Sequence, residues 1–297
     1  MSHYLGIDIG GTKIAGVVLN AEQQVVSQNQ IETPREDYTE FLKNLVQFIQ
    51  ELDGGLGLPV GIGMPGALSL EDERVKNSNI PCVRGRFLSH DLSREIARPI
   101  RIENDANCFA LSEAIDGAGA NAPVVFGVIL GTGTGGGVVF NQHLWVGPNR
   151  IAGEWGHNSL PFATDKEQPG RQCYCGKTGC IETFISGPGM SADHLAVTGA
   201  QLKAWEIYEL AQKGDAGANE TLERHSERVA KSLASIINVL DPDVVVLGGG
   251  VSQMAHLYRD VPAKWGKYVY SDTVKTRLVE NRHGPSSGVR GAAWLWK

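Results

Sequence analysis

The chain has 297 residues, more than one hydrophobic core usually organises, so two domains or two lobes of one fold are expected. Apolar residues make up 42% and charged residues 20%, and the formal charge of −6 excludes a broad basic surface for nucleic acid or an acidic membrane. No apolar run approaches the ~18 residues of a membrane span, and MSHYLGIDIGG enters a strand pattern without a signal-like segment, so a cytoplasmic protein is expected.

In chain order, the first element is a hairpin. Residues 5–20, LGIDIGGTKIAGVVLN, read as strand, Gly/Thr turn and strand, and they fall without a gap on residues 126–141, FGVILGTGTGGGVVFN. Two copies so far apart point to a duplicated domain with one hairpin per lobe; chance likeness of two glycine-rich hairpins is the alternative. Between them, Tyr38 to Leu52 has helical spacing, VGIGMPG at 60–66 reads as strand plus turn, and the short strand IRIE precedes an apolar-periodic segment from Cys108 to Ala114. Late in the chain, Val229 to Leu240 reads as a helix stopped by Asp241-Pro242, residues 244–250 as a buried strand ending in glycines, and SSGVRGAAWLWK as a terminal helix packed on one lobe. This alternation predicts an α/β fold of two similar lobes with a cleft between them and ligands at the carboxyl ends of the strands.

Gly10-Gly11-Thr12-Lys13 follows the strand that contains Asp8, so backbone N–H groups and the Thr12 hydroxyl can approach a phosphate without Cβ interference. The turn matches neither a Walker A loop nor a Rossmann fingerprint, because a second strand follows it. A plain hairpin turn is the bland alternative; the matching Gly131-Thr132-Gly133-Thr134 favours two anion-binding turns suited to a polyphosphate. Asp105, at or near a helix N-terminus, is either a cap contributing ~1 kcal/mol or a general base for a substrate hydroxyl.

The five cysteines are too odd a set for a complete disulfide framework, and three of them crowd together beside glycines. Cys173, Cys175 and Cys180 with His157 make a tetrahedral zinc set, with Gly176 and Gly179 letting the chain fold tightly; buried free cysteines are the alternative. Glu154 and Glu182 flank this run and are either ordinary surface glutamates or carboxylates that grip a hydroxyl-rich ligand.

DIGGTK at 8–13, NDAN at 104–107, ILGTGTGGG at 129–137, GEWGH at 153–157 and CYCGKTGCIE at 173–182 resemble, in this order, the ROK family of bacterial sugar kinases and repressors. The resemblance covers essentially the whole chain. It implies the duplicated actin-like (ribonuclease H-like) ATPase fold, with residues 1–120 and a C-terminal helix at about 286–297 in one lobe and residues 121–285, carrying the zinc insertion, in the other.

The resemblance further implies an ATP-dependent hexose kinase in which Asp105 is the catalytic base. Gly66, Asn79, Asn104, Asp105, Glu154, His157 and Glu182 would meet the hexose; Gly10, Gly11, Thr12, Lys13, Thr132 and Gly133 the ATP phosphates; Gly249 and Gly250 the adenosine. Asp8 would help hold magnesium (Mg2+), and His157 would bind structural zinc (Zn2+) through one ring nitrogen and a sugar hydroxyl through the other. CYCGKTGCIETFISG and HGPSSGVRGAAWLW look most like the fructokinases that also accept mannose, so the 6-hydroxyl of fructose is the expected target, with N-acetylglucosamine kinase or glucokinase as alternatives. A homodimer is the expected assembly. A sugar-responsive repressor is disfavoured, because the first strand leaves no room for a DNA-reading module and the charge is acidic. An actin-like structural or chaperone ATPase would have no use for a zinc knot.

Overall fold

The computed structural model describes residues 3–297, so Met1 and Ser2 of the expected N-terminal lead into the first strand lie outside the described residues. In chain order the strands and helices are β1 (His3–Ile9), β2 (Lys13–Asn20), β3 (Val25–Glu32), α1 (Tyr38–Asp53), β4 (Val60–Met64), β5 (Ala67–Leu68), β6 (Val75–Lys76), α2 (Leu88–Ile96), β7 (Ile100–Asn104), α3 (Asp105–Ile115), β8 (Val124–Leu130), β9 (Thr134–Phe140), β10 (His143–Trp145), α4 (Glu182–Ile185), α5 (Gly187–Thr198), α6 (Ala204–Gln212), α7 (Ala216–Leu240), β11 (Val244–Gly248), α8 (His256–Trp265), β12 (Arg277–Glu280) and α9 (Ser287–Trp294). The chain divides into two compact units, residues 1–120, 142–151 and 282–297 in the first and residues 121–141 and 152–281 in the second. No described helix is long and apolar enough to cross a membrane.

The first unit is built on a sheet of order β3-β2-β1-β4-β7, antiparallel through the first three strands and parallel from β1 onward. Helix α1 starts where the Asp37 side chain accepts from the Glu40 N–H at 2.7 Å and stops at Gly54 in the left-handed region. Its Phe41, Leu45, Phe48, Ile49 and Leu52 join Leu5, Ile7, Ile9 and Ile62 in one core, each large side chain contributing roughly 1.5–3 kcal/mol by leaving water. The C-terminal return is fastened to α3 by buried charge. Glu113 accepts from the Ala118 N–H, the Arg282 N–H and the Ser287 hydroxyl, and Asp116 pairs with Arg290 and His283.

The second unit repeats the plan with β9-β8-β11-β12, where β8 and β9 are antiparallel and β11 is parallel to both β8 and β12. Its central helix α7 starts well before the expected Val229, because Asp215 caps it by accepting from the Ala218 N–H at 2.8 Å. The polar first half of α7 hid this start from an apolar pattern. Along α7, Arg228 and Lys231 pair with Glu167 at 2.7 and 2.6 Å, and Arg228 also reaches Asp193. These bonds tie the loop before the cysteine run to the helix, and they hold the Glu167 carboxyl down at about 2 against the opposing effect of burial.

The two hairpins match in sequence without a gap, yet they close differently. In the first, Ile9 opposes Ile14 around residues 10–13; in the second, Leu130 opposes Thr134 around residues 131–133. The second turn is therefore one residue tighter, and the Gly10 and Gly131 N–H groups close them onto Lys13 and Gly133 carbonyls at 2.9 and 3.0 Å.

Candidate active site

In the first unit, β7 ends in Asn104 and α3 begins at once with Asp105. The expectation placed Asp105 at or near the cap; Asn104 is the cap, in extended conformation, and its side chain accepts from the Ala106 N–H at 2.8 Å. The Asn104 amide also donates to the Gly66 carbonyl at 3.2 Å, which fixes the β7–α3 corner against the turn after β4. Asp105 is thereby released from the cap role, although one of its oxygens shares the Ala106 N–H at 2.9 Å. Burial raises the Asp105 carboxyl above its ordinary range, opposed by the Ala106 and Asp105 N–H groups and Asn104.

Asp8, near the end of β1, lies beside this corner. Its carboxyl is pushed up to about 6, first by burial and then by the Asp105 charge, with Lys13 pulling the other way. Two carboxyls at close quarters favour a cation or a shared proton between them. Gly63 and Gly288 flank Asp8, and a side chain at Gly288 would come within 3.1 Å of its oxygen. The first turn is steadied by the Thr33 hydroxyl donating to the Gly10 carbonyl at 2.8 Å and the Thr33 N–H to the Thr12 carbonyl. Thr12 and Lys13 are exposed, and the Asn79 amide lies over Gly11. The structure thus brings Asp8, Gly10, Gly11, Asn79, Gly66, Asn104 and Asp105 into one corner of the first unit.

In the second unit, His157, Cys173, Cys175 and Cys180 converge, with all four donor atoms within 4.8 Å of one another. The His157 Nδ1 lies 3.6 Å from the Cys173 sulfur, and the Cys175 and Cys180 sulfurs are also 3.6 Å apart. Gly176 and Gly179, both at positive φ, turn the chain back between them. Three thiols and an imidazole, two of the thiols buried, are the donor set of a structural zinc, so the residues present fit that ion. The other ring nitrogen, Nε2, is not free: it meets the Tyr174 hydroxyl at 3.0 Å, with the two rings edge to face. Tyr174 was overlooked in the sequence because its signal is only its place inside CYCGKTGC. Although Tyr174 is 83% exposed, partial desolvation of its hydroxyl and the Glu182 and Glu154 charges push it up to about 12, so it lies near both of those glutamates.

Glu182 is buried and doubly engaged. One oxygen accepts from the Thr134 N–H at 3.0 Å and the other lies 3.6 Å from the Cys173 sulfur, so it touches both the second hairpin and the cysteine cluster. A side chain at Gly133 would push this carboxylate off the Thr134 N–H, because a Cβ would sit 2.6 Å from the Glu182 oxygen. Glu154 is exposed, and Thr132 stands exposed at the turn. Gly249, with φ 84 and ψ 170, packs on the Leu130 carbonyl beside the second turn, and Gly250 faces open space.

Two units, each a mixed sheet packed with helices and opened by a glycine hairpin, define a duplicated actin-like α/β fold. A model of the ROK family matches residues 4–297. The chain is 43% identical to the N-acetyl-D-glucosamine kinase of Photobacterium profundum over 298 residues, covering 98% of each. Among solved structures, the ROK hexokinase of Thermus thermophilus superposes with a TM-score of 0.89 at 30% identity, covering 99% of this chain and 97% of that one. A ROK family glucokinase from Streptomyces griseus in complex with glucose and AMPPNP gives 0.76 at 26% identity over 99% of each. The chain belongs to the ROK family.

Proposed function

We propose that the protein is an ATP-dependent sugar kinase that phosphorylates the 6-hydroxyl of N-acetyl-D-glucosamine. The reaction type rests on the Asp8–Asp105 corner at the carboxyl ends of β1 and β7. The sugar rests on the 43% identity to an N-acetyl-D-glucosamine kinase over nearly the whole chain. Fructose, expected from two segments alone, gives way to it.

In this reading the sugar O6 attacks the γ-phosphorus, the bond to the β–γ bridging oxygen breaks, ADP leaves, and Asp105 takes the O6 proton. A carboxylate with raised proton affinity is the better acceptor. Asn104 and the Gly66 turn hold Asp105 in place, Asn79, Glu154 and Glu182 orient sugar hydroxyls, and His157, whose Nε2 is taken by the Tyr174 hydroxyl, meets a sugar hydroxyl only where that hydroxyl displaces Tyr174. Gly11, Thr12 and Lys13 offer N–H groups, a hydroxyl and one ammonium to ATP phosphate, with the Gly10 N–H closing that turn, and Thr132 and Gly133 offer a hydroxyl and N–H groups of the same kind. Gly249 and Gly250 leave bare backbone for the adenosine. Asp8 would hold magnesium, which when bound neutralises phosphate charge. His157, Cys173, Cys175 and Cys180 would hold zinc, which fixes the loop and takes no part in the transfer.

A coupled ADP-release assay over N-acetylglucosamine, fructose, mannose, glucose and N-acetylmannosamine tests this. N-acetylglucosamine should give the highest kcat/KM. A higher value for fructose would overturn the sugar, and ADP release indifferent to every sugar would overturn the kinase.

A further inference from the structure

The segment from Cys180 to Gly187 is short, and it is bonded to the second hairpin turn at both of its ends. At its start, Glu182 opens the single-turn helix α4 and accepts from the Thr134 N–H at 3.0 Å. At its finish, the Gly187 N–H donates to the Gly131 carbonyl at 2.8 Å. Between these, His225 of α7 meets the Ile185 carbonyl at 2.9 Å, so α4 has no slack against the body of the unit. The cysteine cluster reaches the same segment from its other side. Cys180 accepts at its carbonyl from the Thr183 N–H and hydroxyl at 2.9 and 2.8 Å, and the Cys173 sulfur meets the second Glu182 oxygen.

We propose that Glu182 is a positioning residue that couples metal occupancy of the His157, Cys173, Cys175 and Cys180 cluster to nucleotide binding at the turn of residues 131–133. Its carboxylate touches both the cluster and the turn, and the bonds from Ile185 to His225 and from Gly187 to Gly131 hold α4 so that a shift at Cys180 is carried to the Thr134 N–H. With the cluster filled, the two halves of the loop are held together and Glu182 keeps the turn ready for phosphate. With it empty, the loop is free to spread and the turn loses its fixed acceptor. Coupling of this kind is reciprocal: a metal that tightens nucleotide binding is itself bound more tightly when nucleotide is present.

The inference rests on the kinase reading, and the test separates the two. The Kd of the non-hydrolysable analogue AMPPNP is measured by calorimetry on zinc-loaded and chelator-treated protein, with metal content per chain and circular dichroism recorded in parallel. Removal of the metal should weaken AMPPNP by about tenfold, and saturating AMPPNP should slow zinc loss to a chelator to the same degree. Glu182→Ala, still carrying its metal, should bind AMPPNP about tenfold more weakly, and chelation should weaken it no further. Equal AMPPNP affinity in loaded Glu182→Ala and loaded wild-type protein overturns the coupling, even if chelation unfolds the loop. No AMPPNP binding to loaded wild-type protein overturns the kinase reading and the coupling with it.

Discussion

The two hairpin turns share a sequence ancestor, but they are supported in different ways. The first is braced locally, by Thr33 on the strand next door, and its chemistry is charged: Asp8 precedes it and Lys13 leaves it. In the second, Ile129 and Thr134 stand where Asp8 and Lys13 stand, and the turn is braced from far along the chain by Glu182 and Gly187. Duplication therefore kept the glycine turn and divided the rest: the first unit carries the Asp8 and Asp105 carboxyls, the proposed acid–base pair, and the second ties its turn to a cysteine loop.

That division is broken most forcefully at Asp105. Asp105→Asn should lower kcat by ~10²–10⁴-fold, the loss expected for a general base, while AMPPNP and sugar binding survive. Steady-state kinetics and calorimetry check this, and an unchanged kcat would remove the acid–base asymmetry between the units. Next in size is Gly249→Ala. Its backbone lies in a region essentially reserved for glycine, and a Cβ would collide with the Leu130 carbonyl, so backbone strain and overpacking together should cost about 3–5 kcal/mol. Gly250→Ala, which meets nothing within 4 Å, is the matched control and should unfold in urea within about 0.5 kcal/mol of wild type.

Both hairpins, the strand from 244 and the four metal-ligand candidates were legible because each is a local run of distinctive residues. What was not legible depends on partners far apart in sequence. The tighter second turn escaped notice because Gly135, Gly136 and Gly137 carry no side chains whose alternation would report which residue opposes which. The cap on Asn104 is a choice between two adjacent residues, either of which has the chemistry to make it; the bond from Asn104 to Gly66, across the sheet, decides it. The bond from Glu182 to the Thr134 N–H was not legible either, because the two residues are 48 positions apart and the sequence offers Glu182 only as a carboxylate beside the cysteines.

The finest test of the comparison is the sign of each unit's response to pH. In the first unit the Asp8 carboxyl is raised to about 6 from an ordinary 3.8, so between these values the folded state holds a proton that the unfolded state has lost, and stability falls as pH rises. In the second, burial pushes His225 down to about 4 and His256 to about 3, from an ordinary 6.5. There the unfolded state is the one that takes protons first, so stability falls as pH drops below 6.5. At about 1.4 kcal/mol per pKa unit, the effect at full extent is about 3 kcal/mol for Asp8, about 3 kcal/mol for His225 and about 5 kcal/mol for His256. Asp8→Asn should therefore raise the stability of the ligand-free protein at pH 7 and flatten its decline above pH 4, at the expense of turnover. His225→Gln, which can keep a donor on the Ile185 carbonyl without titrating, should flatten the decline below pH 6.5 and leave the alkaline side unchanged. Urea unfolding across pH 4–8 measures both slopes, and an Asp8→Asn curve parallel to wild type would mean that the first unit's carboxyl corner is not under the strain that its two neighbouring charges impose.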